Sequence, residues 1–367
     1  MKFINQSEPV YGQAERKAVN DYLRGGGWLM EFKKTREFED AIAKFTGAKY
    51  CSVVANGTVS LFMALKALEI GLGDEVIVPD ITMAATPNAV ILAGAKSVFV
   101  DIEDKSLCLD VKKVAKAINK KTKAVMHVSL NGRAGELAKL KKLCLSRGIH
   151  LIEDSAQSLG SFYRGKHLGG LGAIGSFSFS VPKIITTGQG GALITDDPKL
   201  YDKIRRLKDF GRLAGGTDFY EEVGWNFKFT DLQAVFGIAQ MKGIKARMAT
   251  KKNIFSLYRN LLAGVKQIKF IETDLKQTTP WFIDILAERR DELITYLKSE
   301  QIGSRPIYPA LHSQPAYNFG GDYPVAKKIA KAGLWLPSSV NLTAKQITII
   351  CKKIKYFYES YRTNTGS

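Results

Sequence analysis

From about residue 35 to 200 the chain alternates between two apolar rhythms. Residues 35–46 (TREFEDAIAKFT) repeat apolar positions at helical spacing, whereas 50–54 (YCSVV) form a short apolar run of strand length. The alternation continues. VSLFMALKAL is amphipathic and ends at glycines, EVIVP reads as a strand, PNAVILAGA as a short helix and SVFVDI as a strand. Residues 111–118 are helical in spacing, AVMHVSL is a strand, and GELAKLKKLCLSRG is a helix with a glycine stop. HLIED is a strand ending in acid, and SFSFS and GALITD follow as strands. Short apolar strands separated by helices predict an α/β fold with a mostly parallel sheet covered on both faces.

Beyond residue 200 the rhythm changes. Residues 199–212 and 230–263 predict long helices, the second opening at a Thr230 cap. Strand-like stretches (VKQIKFIET, PWFIDIL, GSRPIYP) and the helical DELITYLKSEQ and TAKQITIICKKIKYFYESY predict a small C-terminal α/β domain. Length agrees, because single cores stop growing at about 250–300 residues. The expected division is a large domain over 1–250 and a small one over 251–367, with the closing RTNTGS frayed.

Composition is globular, with 45% hydrophobic and 24% charged residues. A net charge of +19 raises the question of nucleic acid. The lysines, however, are spread along helical segments such as 112–123 and 139–147 without interleaved aromatics, as on solvated helix faces. No nucleic-acid partner is expected, and the excess charge instead favours an anionic substrate such as a phosphate ester or nucleotide sugar. The four cysteines, Cys51, Cys108, Cys144 and Cys351, form no CxxC pair, which argues against a metal site or redox motif and for reduced thiols. No apolar run approaches the roughly 20 residues that span a bilayer, and MKFINQSEPVYGQAERK lacks a signal-peptide core. A cytoplasmic protein without membrane contact is the expectation.

Three motifs carry candidate chemistry. In NGT, residues 56–58, a strand hands over to a helix, whose N-terminus offers free N–H groups to a phosphate. Gly57 lets the backbone approach and Thr58 adds a hydroxyl, although an ordinary helix cap reads the same way. In HLIEDSAQS, Asp154 ends an apolar strand at the sheet edge where α/β proteins bind ligands. It can pair with a protonated ring nitrogen, with Gln157 near a ring oxygen, or simply cap a helix. In GSFSFSVPKIITTGQGG, Lys183 follows a β-rich segment containing Ser178 and precedes a Thr/Gly-rich turn. A Schiff base there needs a neutral amine, and the plain alternative is a surface lysine.

The order of these motifs, with EFEDAIAKFTGAKYCSVVANGTVSLFMALKAL, GDEVIVPDITMAATPNAV, GWNFKFTDLQAVFGIAQM, IYPALHSQPAY and LWLPSS between and after them, resembles the DegT/DnrJ/EryC1/StrS sugar aminotransferases over nearly the whole chain. That family is a branch of the fold-type I enzymes that use pyridoxal 5'-phosphate (PLP). The resemblance implies that Lys183 carries PLP as a Schiff base and later acts as general base. It implies that Asp154 holds the pyridine nitrogen protonated, that Gln157 sits by the phenolic oxygen, and that Gly57, Thr58 and Ser178 bind the phosphate. Asn226 matches an asparagine lent to the phosphate by the neighbouring subunit, which implies a homodimer with shared active sites. His312 matches a histidine near the substrate, and Arg305 and Tyr308 are candidate substrate contacts.

Three positions depart from the family pattern. Met83, in TMAAT, stands where an aromatic residue usually stacks on the ring, a softer contact. Lys228, in NFK, replaces a common arginine and cannot grip a carboxylate bidentately. HVSLNGRAG stands where relatives read HLYG. The C-terminal segment is similar to the GDP-perosamine synthase-like 4-aminotransferases. This implies transfer of an amino group from an amino acid, L-glutamate above all, to a nucleotide-linked 4-keto-6-deoxy sugar, as in surface polysaccharide or amino-sugar biosynthesis. A non-nucleotide keto sugar or small keto phosphate is the alternative substrate. The 3-dehydratases of the same fold carry histidine at the lysine position, so Lys183 argues against them. A non-catalytic regulatory protein would be expected to have lost Lys183 or Asp154.

Overall fold

The computed structural model describes residues 3–213, 217–317 and 319–364. Its main sheet has seven strands: β1 (Tyr50–Val54), β2 (Glu75–Pro79), β3 (Lys96–Val100), β4 (Thr122–Val128), β5 (His150–Asp154), β8 (Ile174–Ser178) and β9 (Gly191–Thr195). A hairpin of β6 (Phe162–Tyr163) and β7 (Lys166–His167) lies between β5 and β8. The strand order is β1-β9-β8-β5-β4-β2-β3. Only β9 runs against the rest, pairing antiparallel with β1 and β8. Alternate side chains feed two cores: Val76 and Val78 point to one with Leu61, Met63 and Met126, and Ile77 to another with Val125, Leu140 and Leu151.

Helices α1 (Gln13–Arg24), α2 (Lys33–Thr46), α3 (Gly57–Ala67), α4 (Ala85–Leu92), α5 (Val111–Ala117), α6 (Leu137–Ser146) and α7 (Pro198–Lys208) accompany this sheet. α3, expected to be amphipathic, is instead buried on nearly every side, because its sequence is almost wholly apolar. α1 turns inward Glu15, its one buried residue, with half-buried Ala18, Val19 and Tyr22 beside it. α7 ends at Lys208, short of the expected 212, because Phe210 and Gly211 both take positive φ and turn the chain back. The helix expected over 230–263 is two, α8 (Asp231–Lys242) and α9 (Ile244–Leu261), broken at Gly243. Thr230 is the cap of α8, its Oγ1 accepting from Gln233 N at 3.2 Å.

The second sheet is antiparallel, β10-β11-β13-β12, built from β10 (Ile268–Phe270), β11 (Ile283–Ala287), β12 (Arg305–Pro306) and β13 (Gly333–Leu336). It packs with α10 (Arg290–Ser299), α11 (Pro324–Ala332) and α12 (Ala344–Asn364). α12 takes in the start of the expected frayed tail, while 365–367 lie outside the described residues. β13 is a four-residue buried run whose periodicity cannot separate strand from helix. Ile4 joins Ile254, Phe255, Ile285 and Ile354 in the core beneath this sheet, and α9 passes continuously through residue 250.

The departure at HVSLNGRAG joins the two sheets. Asn131, at φ 55, donates from Nδ2 to Phe282 O at 2.8 Å and accepts from Phe282 N at 2.6 Å. Two residues on, Arg133 Nη2 lies 2.6 Å from Asp284 Oδ2, both side chains buried.

Candidate active site

The site forms at the C-terminal edge of the parallel strands, where helix N-termini converge. Asp154 is the last residue of β5 and buried. Thr86 Oγ1, from the first turn of α4, donates to its Oδ2 at 2.8 Å, and Ala156 N donates to Oδ1 at 3.2 Å. Burial pushes its carboxyl pKa up, while the Thr86 and Ala156 hydrogen bonds and the charge of Lys183 pull the other way. A carboxylate in such a place gains most from a cation against it, which suits a protonated pyridine nitrogen.

Three strands over, past β8 and β9, Asn56 follows β1 and caps α3, its side chain accepting from Val59 N at 3.0 Å. Gly57 and Thr58 are the first helical residues, so their N–H groups point off the free end. A Cβ on Gly57 would stand 2.8 Å from Ser178 Cβ and 3.1 Å from its Oγ. Glycine therefore allows β8 to bring the Ser178 hydroxyl beside the helix N-terminus, and a Ser60–Ser176 hydroxyl contact welds helix to strand. This donor set fits a phosphate monoester. Gly57→Ala is expected to weaken PLP affinity about tenfold, at the low end of overpacking costs, without loss of fold. Equilibrium dialysis checks this, and unchanged affinity would exclude the cradle.

Lys183 lies in the loop after β8, its N–H donating to Ser180 O at 3.0 Å. Its Nζ sits 4.1 Å from the centre of the Trp281 ring. Burial lowers its pKa to about 8; Asp154 opposes that shift and the Arg305 charge adds to it. The neutral amine that covalent chemistry needs is thus accessible near neutrality. Gln157 is held at both ends, with Oε1 accepting from Asn131 N at 2.8 Å and Nε2 donating to Tyr308 OH at 3.2 Å. Arg305 lays its guanidinium 4.6 Å above the Trp335 ring, against which Tyr308 packs edge-on at 4.8 Å. Asp154, Gln157, Ser178, Lys183, Arg305 and Tyr308 thus come together.

His312 belongs to the same edge. Its Nδ1 bonds Asp80 Oδ2 at 2.6 Å and its N–H donates to Asp80 Oδ1 at 2.7 Å. Asp80 directly follows β2, and the β2–β4–β5 registers put it level with Asp154, two strands or about 10 Å away. Met83 is half exposed at the entrance to α4. Lys228 and Asn226 lie elsewhere. Lys228 Nζ pairs with Asp209 Oδ1 at 2.5 Å and lines a cavity of about 740 Å³ with Arg205, Arg206 and Arg212. Asn226 is exposed, on a strip whose neighbours bond to Leu207, Lys208 and Ala55.

Thr86, Asp80 and Trp281 were not singled out from the sequence. Thr86 stands one helical turn after Thr82, and the two hydroxyls are 2.8 Å apart; that spacing was a readable signal. Asp80 follows the EVIVP strand just as Asp154 closes HLIED. Nothing local marks Trp281.

Comparison with known proteins agrees with this geometry. Residues 9–355 match the model of the DegT/DnrJ/EryC1/StrS aminotransferase family. A GDP-perosamine synthase of Vibrio cholerae is 36% identical over 359 residues, covering 96% of this chain and 98% of that protein. Another, from Escherichia coli O157:H7, is 34% identical over 362 residues, covering 98% and 99%. Spr1654 from Streptococcus pneumoniae, solved in PLP and PMP forms, superimposes in its PMP form with a TM-score of 0.93 at 26% identity over 100% of both chains. The chain belongs to the DegT/DnrJ/EryC1/StrS aminotransferase family and is a PLP-dependent sugar aminotransferase.

Proposed function

We propose that this enzyme moves the amino group of an amino acid, L-glutamate, onto C4 of a nucleotide-linked 4-keto-6-deoxy sugar for surface polysaccharide, with Lys183 as the cofactor lysine. The observation that carries the site assignment is the convergence of an amine with a pKa of about 8, a buried carboxylate and a helix N-terminus backed by Ser178. The substrate reading draws on the likeness to two GDP-perosamine synthases over nearly the full length.

Bound PLP supplies a carbonyl carbon on which amino groups are exchanged and a ring that takes up an electron pair. The protein does the rest. The α3 N-terminus and Ser178 would hold the phosphate, and Asp154 the ring nitrogen. Gln157, fixed between Asn131 and Tyr308, would stand by the ring oxygen. Lys183, once free, would move the proton at the substrate carbon. Arg305 and the His312–Asp80 pair offer charge and a ring nitrogen to the sugar side. A glutamate-dependent amination screen over nucleotide-linked 4-keto sugars, free keto sugars and small keto phosphates, read by mass spectrometry, tests the substrate. Amination of the free sugars alone would overturn it.

The active form would be a homodimer with shared sites. Trp28, Leu29, Met30, Phe32, Leu213, Phe219 and Tyr220 are all exposed. Met30, Phe32 and Leu213 border the same cavity as Lys228. Asp231 anchors this segment, accepting from Phe32 N at 2.7 Å and Thr35 N at 2.8 Å. So many exposed apolar side chains, those of 28–32 tied down through Asp231, suit a second copy of the chain. Exposed Asn226 would then reach the partner's phosphate. Asn226→Ala is expected to weaken PLP retention about tenfold, the cost of one hydrogen bond to a charged group, with the dimer intact by light scattering. Unchanged retention would rule out the cross-subunit role. A cytoplasmic location fits the four cysteines, all buried and unpaired. Among the described residues no helix is long and apolar enough to cross a membrane.

A further inference from the structure

Trp281 is fixed from several directions. Its Nε1–H donates to Pro182 O at 2.7 Å, the residue just before Lys183. Its own carbonyl accepts from Lys251 Nζ at 2.6 Å, and the same buried amine reaches Ser338 O at 2.5 Å. Its ring stacks on Phe282 at 3.7 Å between centres and meets Trp335 edge-on at 5.7 Å. Five per cent of the residue is exposed, so the indole has one orientation to offer. The Lys183 Nζ lies 4.1 Å from that ring, well inside the range at which an ammonium is attracted to an aromatic face.

An amine that exchanges with a substrate amine is released from the cofactor in every cycle, on a flexible four-carbon stem. We propose that Trp281 is a positioning residue whose indole face seats the Lys183 ammonium while Lys183 is not bonded to the cofactor. The seat keeps the amine within reach of the site and already ordered, so less rotamer freedom has to be lost when the bond to the cofactor re-forms. The charged groups facing Lys183 are Asp154 from β5 and Arg305 from β12, while Lys251 of α9 holds the Trp281 backbone carbonyl. Arg305 repels an ammonium that strays toward Trp335, whose face it occupies itself.

The proposal rests on Lys183 being the cofactor lysine, and the test separates the two. The full-length protein is prepared with fluorotryptophan, and the Trp281 resonance is assigned by its loss in Trp281→Phe. In cofactor-free protein this resonance is expected to titrate with the amine, to stop titrating in Lys183→Met, and to stop in wild type once PLP is bound. A resonance flat with pH in the cofactor-free protein overturns the seat. PLP binding that leaves the titration unchanged overturns the identity of the lysine instead. In Trp281→Leu the pH midpoint for labelling Lys183 with an amine reagent, followed by mass spectrometry, is expected to fall by about one unit, the size of a desolvated cation–π contact. A midpoint that stays or rises overturns the proposal. Should that variant not fold, the fluorine titration decides alone.

Discussion

Lys183→Ala is expected to be colourless when desalted after incubation with PLP and to lose about 10⁴-fold or more in kcat, while folding persists. Two proposed functions would disappear with one amine: covalent attachment of the cofactor and movement of the proton, the latter alone worth about 10²–10⁴-fold. The fold should survive because Lys183 lies in a loop whose hydrogen bond to Ser180 O is made by backbone, and because removing a poorly solvated amine relieves a desolvation cost. The lowered pKa also sets a pH signature. The nucleophile is the neutral amine, so PLP uptake by the cofactor-free enzyme should speed up as pH rises and level off above about 8. An ordinary lysine would keep accelerating to beyond pH 10. Stopped-flow absorbance reads both. A variant that stays yellow and turns over would place the chemistry on another lysine.

Much of this site is legible in the sequence because parallel α/β sheets deliver strand ends and helix starts to one edge. HLIED ending in Asp154, YCSVV running into Asn56 and Gly57, and SFSFS leading toward Lys183 are local patterns whose ends the topology gathers. What is not legible depends on contacts across long stretches of chain. Gln157 meets Tyr308 across 151 residues, His312 meets Asp80 across 232, and Trp281 reaches Pro182 across 99. No periodicity encodes such pairs. α1 was also hidden, for another reason. Its most buried position is the charged Glu15, whose Oε1 accepts from Gln240 Nε2 at 2.6 Å, and the apolar Ala18, Val19 and Tyr22 beside it are only half-buried. The break at Gly243 shows the converse: one glycine suffices to divide an otherwise helical pattern.

The largest effect on stability is expected from Asp284→Ala, at about 3–5 kcal/mol. Arg133 is buried, with Nη1 and Nη2 at 3.2 and 2.6 Å from the two Asp284 oxygens. Its other partners are Ser106 O at 2.7 Å from Nε and Thr273 Oγ1 at 3.4 Å, neither of them charged. Truncating Asp284 therefore strands a guanidinium in a low-dielectric site. Removing both partners is a different matter. In Arg133→Met/Asp284→Leu neither charge has to be desolvated, and most of the stability should return. Denaturant midpoints of the single and double variants measure this, and a loss below about 1 kcal/mol in Asp284→Ala would contradict it. Function should not follow stability back, because the pair also sets geometry. Asp284 lies on β11 three residues after Trp281 and two after Phe282, whose backbone Asn131 grips. Once the strand loses its bidentate tie to the turn after β4, the indole beside Lys183 and the Asn131–Gln157–Tyr308 chain lose their common support. The refolded double variant is therefore expected to recover its midpoint while its Lys183 labelling profile stays displaced.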